Sequence, residues 1–494
     1  MFGKVLIANR GEIAVRVIRA CREMDIATVA VYSDADTTAP HVWLADEAVY
    51  LGAAEPAQSY LHVGRIIDAA RQTGAQAIHP GYGFLAENAG FASACRDAGI
   101  TFIGPPAEVI ASLGDKSAAR RLADNTGVPV VPGVNEPVAD QDAILRAAQR
   151  VGYPVLLKAA AGGGGKGMRA VHRPDDLQAA ATSARREAQS AFGDGALIVE
   201  KLLERSRHVE VQILADTQGN VVQLGERECS LQRRHQKVVE ESPSPAADAR
   251  LRQVLGDAAL RIARAAGYVN AGTVEFLVDQ DRRFYFLEVN TRLQVEHPVT
   301  ELVTGIDLVA AQIRIAAGEP LPVRQDKVHL RGHALECRVY AEDPEAGFAP
   351  SPGRVLGLVE PQLPGVRVDS GIRAGQDIPV EYDPILAKVV AWAPDRDQAV
   401  RKMVRALSEY VVLGFHTNIP YLRAVIAHPA FAAGELSTDF LEQHFAGWRR
   451  PEPTAEVCAI AALVSEAAAA PPSGPSPGAR IADPWDRLAG WRLG

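Results

Sequence analysis

Short apolar runs alternate with amphipathic stretches over the first hundred or so residues, and this alternation constrains the fold most. "KVLIA" (4–8), "ATVAVY" (27–32), "AQAIHP" (75–80) and "ITFIG" (100–104) have the length and content of buried strands. "GEIAVRVIRACREM" (11–24) and "YLHVGRIIDAARQTG" (60–74) place apolar residues at helical spacing. Strand, helix, strand, helix predicts an open α/β domain with a parallel sheet. Such sheets take ligands beyond the carboxyl ends of their strands. "ANRGEIA" (8–14) and "HPGYGFLAEN" (79–88) stand at those ends. "NRGEIA" holds a single glycine, so it is no dinucleotide fingerprint.

A second feature follows in "YPVLLKAAAGGGGKGMRAV" (153–171), which reads as strand, glycine loop, strand. Lys166 is followed by Gly167, so the loop is not the P-loop that opens a helix. Backbone free of side chains can approach phosphate closely, and a loop between two strands would fold over a nucleotide from above. A flexible hairpin turn satisfies the same pattern. Lys158 at the strand end and Lys116 in "LGDKSAAR" are candidate phosphate cations; a solvated surface lysine is the other reading of each. Later strands are read in "ALIVEKLL", "RHVEVQILAD", "NVVQLGERECSLQRR" and "GTVEFLVD".

The densest polar stretch is "FYFLEVNTRLQVEHPVTE" (284–301), where Glu288, Asn290, Arg292, Gln294 and Glu296 are spaced by two. In an extended strand that period puts all five on one face. An ordinary exposed face gives the same spacing. Glu275 sits in the apolar run "GTVEFLVD", where a carboxylate needs a partner. Glu275 and Glu288 on adjacent strands, with Asn290, would make an oxygen-ligand site suited to magnesium; carboxylates paired with arginines are the alternative. "RRHQKVVEESP" offers His235 and Lys237, and "ALECRVYAED" places Arg338 between Cys337 and Val339, where it calls for an acid or an anion.

The 494 residues exceed one ordinary core and carry a net charge of −8, which argues against a sequence-independent nucleic-acid binder. No apolar run reaches the ~18 residues of a membrane span. The N-terminus lacks signal-peptide organisation, and the five cysteines form no C-x-x-C pair. Together these predict a cytoplasmic protein without a disulfide framework or a cysteine zinc site.

Taken together and in order, "ANRGEIA", "HPGYGFLAEN", "YPVLLKAAAGGGGKG", "RHVEVQ", "ERECSLQRRHQK", "FLEVNTRL" and "NTRLQVEHPVTE" resemble the biotin carboxylase family of the ATP-grasp superfamily, from residue 1 to about 446. The resemblance implies an α/β and α+β chain: an ATP-grasp fold with an N-terminal open parallel-sheet domain, a small mobile lid and a C-terminal α+β domain. The implied division is 1–114, 115–330 with the lid at about 131–203, 331–446, and an Ala/Pro-rich linker with the start of a following segment at 447–494. It implies ATP-dependent carboxylation of biotin by bicarbonate, through carboxyphosphate, as the first half-reaction of an acyl-CoA carboxylase.

The roles implied are these. Lys116, Lys158, Gly164 and Gly165 hold the nucleotide phosphates. Met168 and Leu277 pack the adenine, with Glu200 and Lys201 at its edge, and Leu203 also belongs to the ATP site. His208, Gln232 and His235 reach ribose or phosphate. Glu275, Glu288 and Asn290 hold magnesium, with manganese as the substitute ion. Lys237, Arg292, Gln294 and Val295 hold bicarbonate, Glu296 is the general base, and Arg338 meets the biotin ureido oxygen beside Tyr82 and Gly83. The implied partners are a biotin carrier protein or domain, a second copy of the chain and a carboxyltransferase. Arg19 and Glu23, four apart on one helix face, are one candidate contact for the second copy. Neither nucleic acid nor membrane is expected. No "A-M-K-M" attachment stretch is present, so biotin is expected on a separate carrier or on a further part of a longer protein.

Overall fold

The computed structural model describes residues 1–134, 137–138, 140–160, 168–234, 236–457 and 459–460, without the side chain of Phe192. Residues up to Trp448 form one compact unit. Residues 449–457, 459 and 460, exposed throughout, belong to a second unit, and the rest of the expected linker lies outside the described residues.

The first sheet is parallel, as the alternation predicts. Its strands are β1 (Lys4–Ile7), β2 (Ala27–Ser33), β3 (Glu47–Gly52), β4 (Ala77–His79) and β5 (Thr101–Phe102), in the order β3-β2-β1-β4-β5. Val5, Leu6 and Ile7 are fully buried because helices cover both faces of the central strand. Helix α1 (Gly11–Glu23) buries Ile13, Ala14, Val17, Ile18 and Cys21, the face its spacing marked out. Strand order reverses between β1 and β4, so the crevice opens beyond their carboxyl ends. Asn9 to Glu12 and Pro80 to Phe84 follow those ends directly.

A small antiparallel sheet comes next: β6 (Val155–Ala159), β7 (Arg169–Val171) and β8 (Leu197–Lys201), ordered β7-β6-β8. Helices Gln141–Val151 and Leu177–Phe192 bury Ile144, Ala148 and Ala181 against Val155, Leu157 and Val199. The largest sheet has eight strands: β9 (Arg207–Ala215), β10 (Val221–Arg233), β11 (Gln236–Ser242), β12 (Asn270–Val278), β13 (Phe284–Asn290), β14 (His333–Tyr340), Val366–Ser370 and Ile385–Ala393. It runs in the order β13-β12-β9-β10-β11-β14 and then through Ile385–Ala393 to Val366–Ser370, all antiparallel.

One sequence expectation is corrected here. The row from Glu288 to Glu296 is not one strand face: β13 ends at Asn290, and residues 291–296 leave the sheet to enter a helix, His297–Thr304, with Pro298 in its first turn. Proline is favoured at that helix start and could not donate to a continuing ladder.

The strand Val366–Ser370 brings Gly371 against the start of α1. A Cβ on Gly371 would lie 2.4 Å from the Glu12 nitrogen and 2.7 Å from the Gly11 carbonyl carbon. Backbone on both sides cannot swing away as a side chain does. Gly371→Ala is expected to destabilise the fold by about 1–3 kcal/mol, the usual cost of overpacking. Urea unfolding reads this; an unchanged midpoint would mean that α1 shifts freely.

Candidate active site

A cleft of about 780 Å³ opens at the carboxyl end of the parallel sheet. Tyr82 and Gly83 line it from the β4 loop, and Lys116 from the start of the helix Lys116–Asn125. Lys158 and Met168 reach it from the small sheet. The large sheet supplies His208, Gln232, Lys237, Glu275, Glu288, Asn290 and Arg338; Arg292, Gln294 and Val295 come from the turn after β13. Residues from stretches far apart in the sequence therefore meet in one place.

Glu275 and Glu288 are register partners on β12 and β13, as the sequence suggested. Glu275 Oε1 accepts hydrogen bonds from Asn290 Nδ2 at 2.7 Å and Lys237 Nζ at 2.8 Å, and Oε2 lies 2.8 Å from His208 Nε2. Burial pushes the Glu275 carboxyl up, but Lys237 and then His208 outweigh it and hold the group far below the carboxylate range. Glu288 is pushed up instead, by desolvation and by Glu275. Its ion pair to Lys116 spans 4.0 Å and its side chain is 39% exposed, so it offers oxygens to the cleft. A loosely paired carboxylate, a second carboxylate in register and the Asn290 amide bonded to that second carboxylate fit a hard divalent cation.

Glu296 lies beneath the cleft rather than on its lining, with no exposed surface. Lys237 donates to Oε1 at 2.7 Å and Arg338 to Oε2 at 2.9 Å. Burial alone would raise this carboxyl; Lys237, then Arg338 and Arg227, reverse the balance and hold it well below the ordinary range. The cations are over-paired in turn. Lys237 also contacts Glu210 and Glu275, which hold its ammonium well above the ordinary lysine range against the opposing effect of burial. Arg338 donates from Nε to Glu240 at 2.6 Å. Arg292 donates to Glu87 at 2.8 Å and to Gln294 Oε1 at 2.7 Å. These are charges with exchangeable partners, able to turn toward an anion that enters.

Other expected residues stand further back. Glu200 is buried between Lys158 and Arg120, the latter at 2.5 Å. Lys201 donates from Nζ to the carbonyls of Gly152 at 3.0 Å and Tyr153 at 2.8 Å. Leu203, just beyond β8, and Leu277, opposite His208, are half-buried. On the cleft lining itself, Gln232 Nε2 meets His208 Nδ1 at 2.7 Å. Gly164, Gly165 and His235 lie outside the described residues.

Five charged residues of this network were not singled out by sequence reasoning. Glu210, Arg227 and Glu240 lie inside strands and are fully buried. Arg120 holds Glu200, and Glu87, in "HPGYGFLAEN", holds Arg292 and the Thr291 backbone N–H. A lone charge between apolar neighbours marked only Glu210, in "HVEVQ"; Glu240 is followed by Glu241 and Arg227 lies between two glutamates, so neither carries that signal.

Three family models match consecutive stretches of the chain. They are the biotin carboxylase N-terminal domain over residues 1–110, the ATP binding domain of the carbamoyl-phosphate synthase L chain over 115–324, and the biotin carboxylase C-terminal domain over 336–443. A pyruvate carboxylase subunit of Methanothermobacter thermautotrophicus is 52% identical over 447 residues, 90% of this chain and 91% of that protein. A biotin carboxylase of Nostoc sp. is 52% identical over 442 residues, 90% of this chain and 99% of that protein. The biotin carboxylase domain dimer of Hydrogenobacter thermophilus 2-oxoglutarate carboxylase, solved with MgADP, ADP and bicarbonate, superposes with a TM-score of 0.89 at 47% identity, covering 92% of this chain and all of that one. With residues 1–110, 115–324 and 336–443 matched in order, the chain belongs to the biotin carboxylase family.

Proposed function

We propose that the cleft performs ATP-dependent carboxylation of biotin on a carrier, using bicarbonate. The observation that carries the reading is Glu296: a buried carboxylate clamped by Lys237 and Arg338, adjoining the Glu275–Glu288 pair. Lys116 and Lys158 would bind the phosphates of ATP with Gly164 and Gly165, and His208, Gln232 and His235 would reach ribose or phosphate; Met168 and Leu277 would pack the adenine, with Glu200 and Lys201 at its edge and Leu203 also at the ATP site. Glu275, Glu288 and Asn290 would hold magnesium, which supplies charge neutralisation to the transferring phosphoryl group when bound. Bicarbonate would lie on Lys237, Arg292, Gln294 and the Val295 backbone, close to Glu296. The carboxylate would take the bicarbonate proton as the oxygen attacks the terminal phosphate, giving carboxyphosphate and ADP. Release of CO2 leaves phosphate to accept the ureido N–H proton, and Arg338 would stabilise the resulting ureido oxyanion beside Tyr82 and Gly83.

The same reading divides the chain at 1–114, 115–330 and 331–446, with the small sheet within 131–203 as the lid. It pairs the chain with a biotin carrier, a carboxyltransferase and a second copy of itself, and places it in the cytoplasm. Cys21, Cys95, Cys229 and Cys337, all free and buried, support a reducing compartment. No helix among the described residues is long and apolar enough to cross a membrane. We propose an acyl-CoA carboxyltransferase as the partner that takes up the carboxylated carrier. Assay of the copurified carboxyltransferase with acyl-CoAs and with pyruvate checks that pairing.

The direct test is phosphate release from ATP with and without bicarbonate, together with carboxylation of free biotin. ATP cleavage indifferent to bicarbonate would overturn the reading. Within it, Glu288→Gln removes the more exposed charged oxygen ligand and is expected to raise the magnesium needed for half-maximal turnover at least about tenfold. An unchanged magnesium titration would remove Glu288 from the metal site.

A further inference from the structure

Lys388 is a fully buried lysine that the reaction scheme does not use. It lies on the strand Ile385–Ala393, directly across the ladder from Arg338. Its Nζ donates to the Val295 carbonyl at 2.9 Å. The same ammonium is 3.3 Å from Glu12 Oε2, 3.9 Å from Asp369 Oδ2, and 5.7 Å from the centre of the Tyr82 ring. Burying a lysine is costly unless its charge is used, and three of these contacts, Val295, Glu12 and Tyr82, belong to different parts of the cleft lining. Glu12 begins α1 beneath the biotin side; Val295 and Glu296 share the peptide whose carbonyl Lys388 holds. Neither Glu12 oxygen accepts a hydrogen bond among the described residues, so the ammonium is what compensates this 1%-exposed carboxylate. Gly371 packs on the same turn of α1, leaving it no room to relax toward the strand.

We propose that Lys388 is a positioning residue that sets the Val295–Glu296 peptide, and with it the bicarbonate site, and ties that peptide to the α1 and Tyr82 wall of the cleft. The proposal rests on the reading of Val295 and Glu296 as the bicarbonate site. Donation to the carbonyl fixes the rotation of the 295–296 peptide. It thereby fixes where the Glu296 side chain starts and where the Val295 N–H, one peptide earlier, can point. No nucleotide contact depends on it.

The test compares Lys388→Met with the double variant Glu12→Gln/Lys388→Met in the full chain. Each is measured for thermal stability and for the KM of bicarbonate and of ATP in bicarbonate-dependent ATP cleavage. Lys388→Met is expected to lower the melting temperature and to raise the bicarbonate KM about tenfold, the equivalent of one lost hydrogen bond, with the ATP KM within about twofold. The double variant removes the orphaned carboxylate. It is expected to regain stability while keeping the raised bicarbonate KM, because the Val295 carbonyl still lacks its donor. A bicarbonate KM that is normal in either folded variant, or that recovers along with stability, overturns the proposal, as does a double variant that cannot fold. Glu296→Gln run alongside separates the two levels. If it keeps bicarbonate-dependent cleavage, the reading of the site has failed; if it is inactive while Lys388→Met binds bicarbonate normally, only the role of Lys388 has failed.

Discussion

Glu296→Gln is expected to lower bicarbonate-dependent ATP cleavage about 100- to 10,000-fold, the usual consequence of losing a general base. The substitution keeps the volume and one acceptor oxygen, so it changes little besides the ability to take a proton. The fold should tolerate it, since Lys237 keeps Glu210 and Glu275 and Arg338 keeps Glu240 as counter-charges. The large effect also follows from how this carboxylate is tuned. With Lys237 on one oxygen and Arg338 on the other, it is ionised but a poor base. An arriving bicarbonate competes for Lys237, and a carboxylate that loses one cation grows more basic at the moment a proton must be moved. Phosphate release across a bicarbonate titration checks this, with nucleotide binding as the control. Activity within about tenfold of the parent would assign proton removal to another group.

The Glu275–Glu288 pair was legible because each is a lone carboxylate in an apolar strand and the two strands are joined by a short turn. The row running on to Glu296 was legible as a group but not as a geometry. Period-two spacing continues on paper past Asn290, whereas the chain turns out of the sheet ahead of Pro298. The five side chains still converge, by a turn and a helix start rather than by a common face. Glu210, Arg227 and Glu240 were hidden for a different reason. Alternation reports that two faces differ, not which of them is buried, and here the polar face points into the protein beneath the cleft. Arg227 shows this best. With no exposed surface, it is satisfied by Glu210 at 2.6 Å, Gln212 at 2.7 Å and Thr300 at 2.9 Å, three residues from one strand and a helix. No local pattern could assemble that set. The edge strand β3 went unread although its "AVYL" (48–51) is an apolar run like the others; most of its side chains are exposed or half-buried.

Arg338→Gln should separate the two halves of the reaction. Arg338 now divides its guanidinium between Glu240 and Glu296. Burial, opposed by Arg338 and reinforced by Glu296, pushes the Glu240 carboxyl up to about 7. Without the guanidinium, which opposes the upward push of burial, Glu240 would take up a proton and become neutral, so the site loses a cation without gaining a stranded charge. Glu296 loses one of its two cations and becomes the stronger base, while Lys237 and the metal ligands remain in place. Bicarbonate-dependent ATP cleavage is therefore expected to survive within about tenfold, the worth of one charge contact near a surviving base. Carboxylation of biotin is expected to fall about 100- to 1,000-fold, as when one donor to a developing oxyanion is removed. Phosphate release and carboxybiotin formation must be measured side by side on the same preparation. Phosphate released without matching carboxybiotin is the expected signature, because carboxyphosphate formed without an acceptor decomposes. Equal loss of both activities would place Arg338 with Glu296 in the bicarbonate half, and full retention of both would put the biotin oxyanion elsewhere in the cleft.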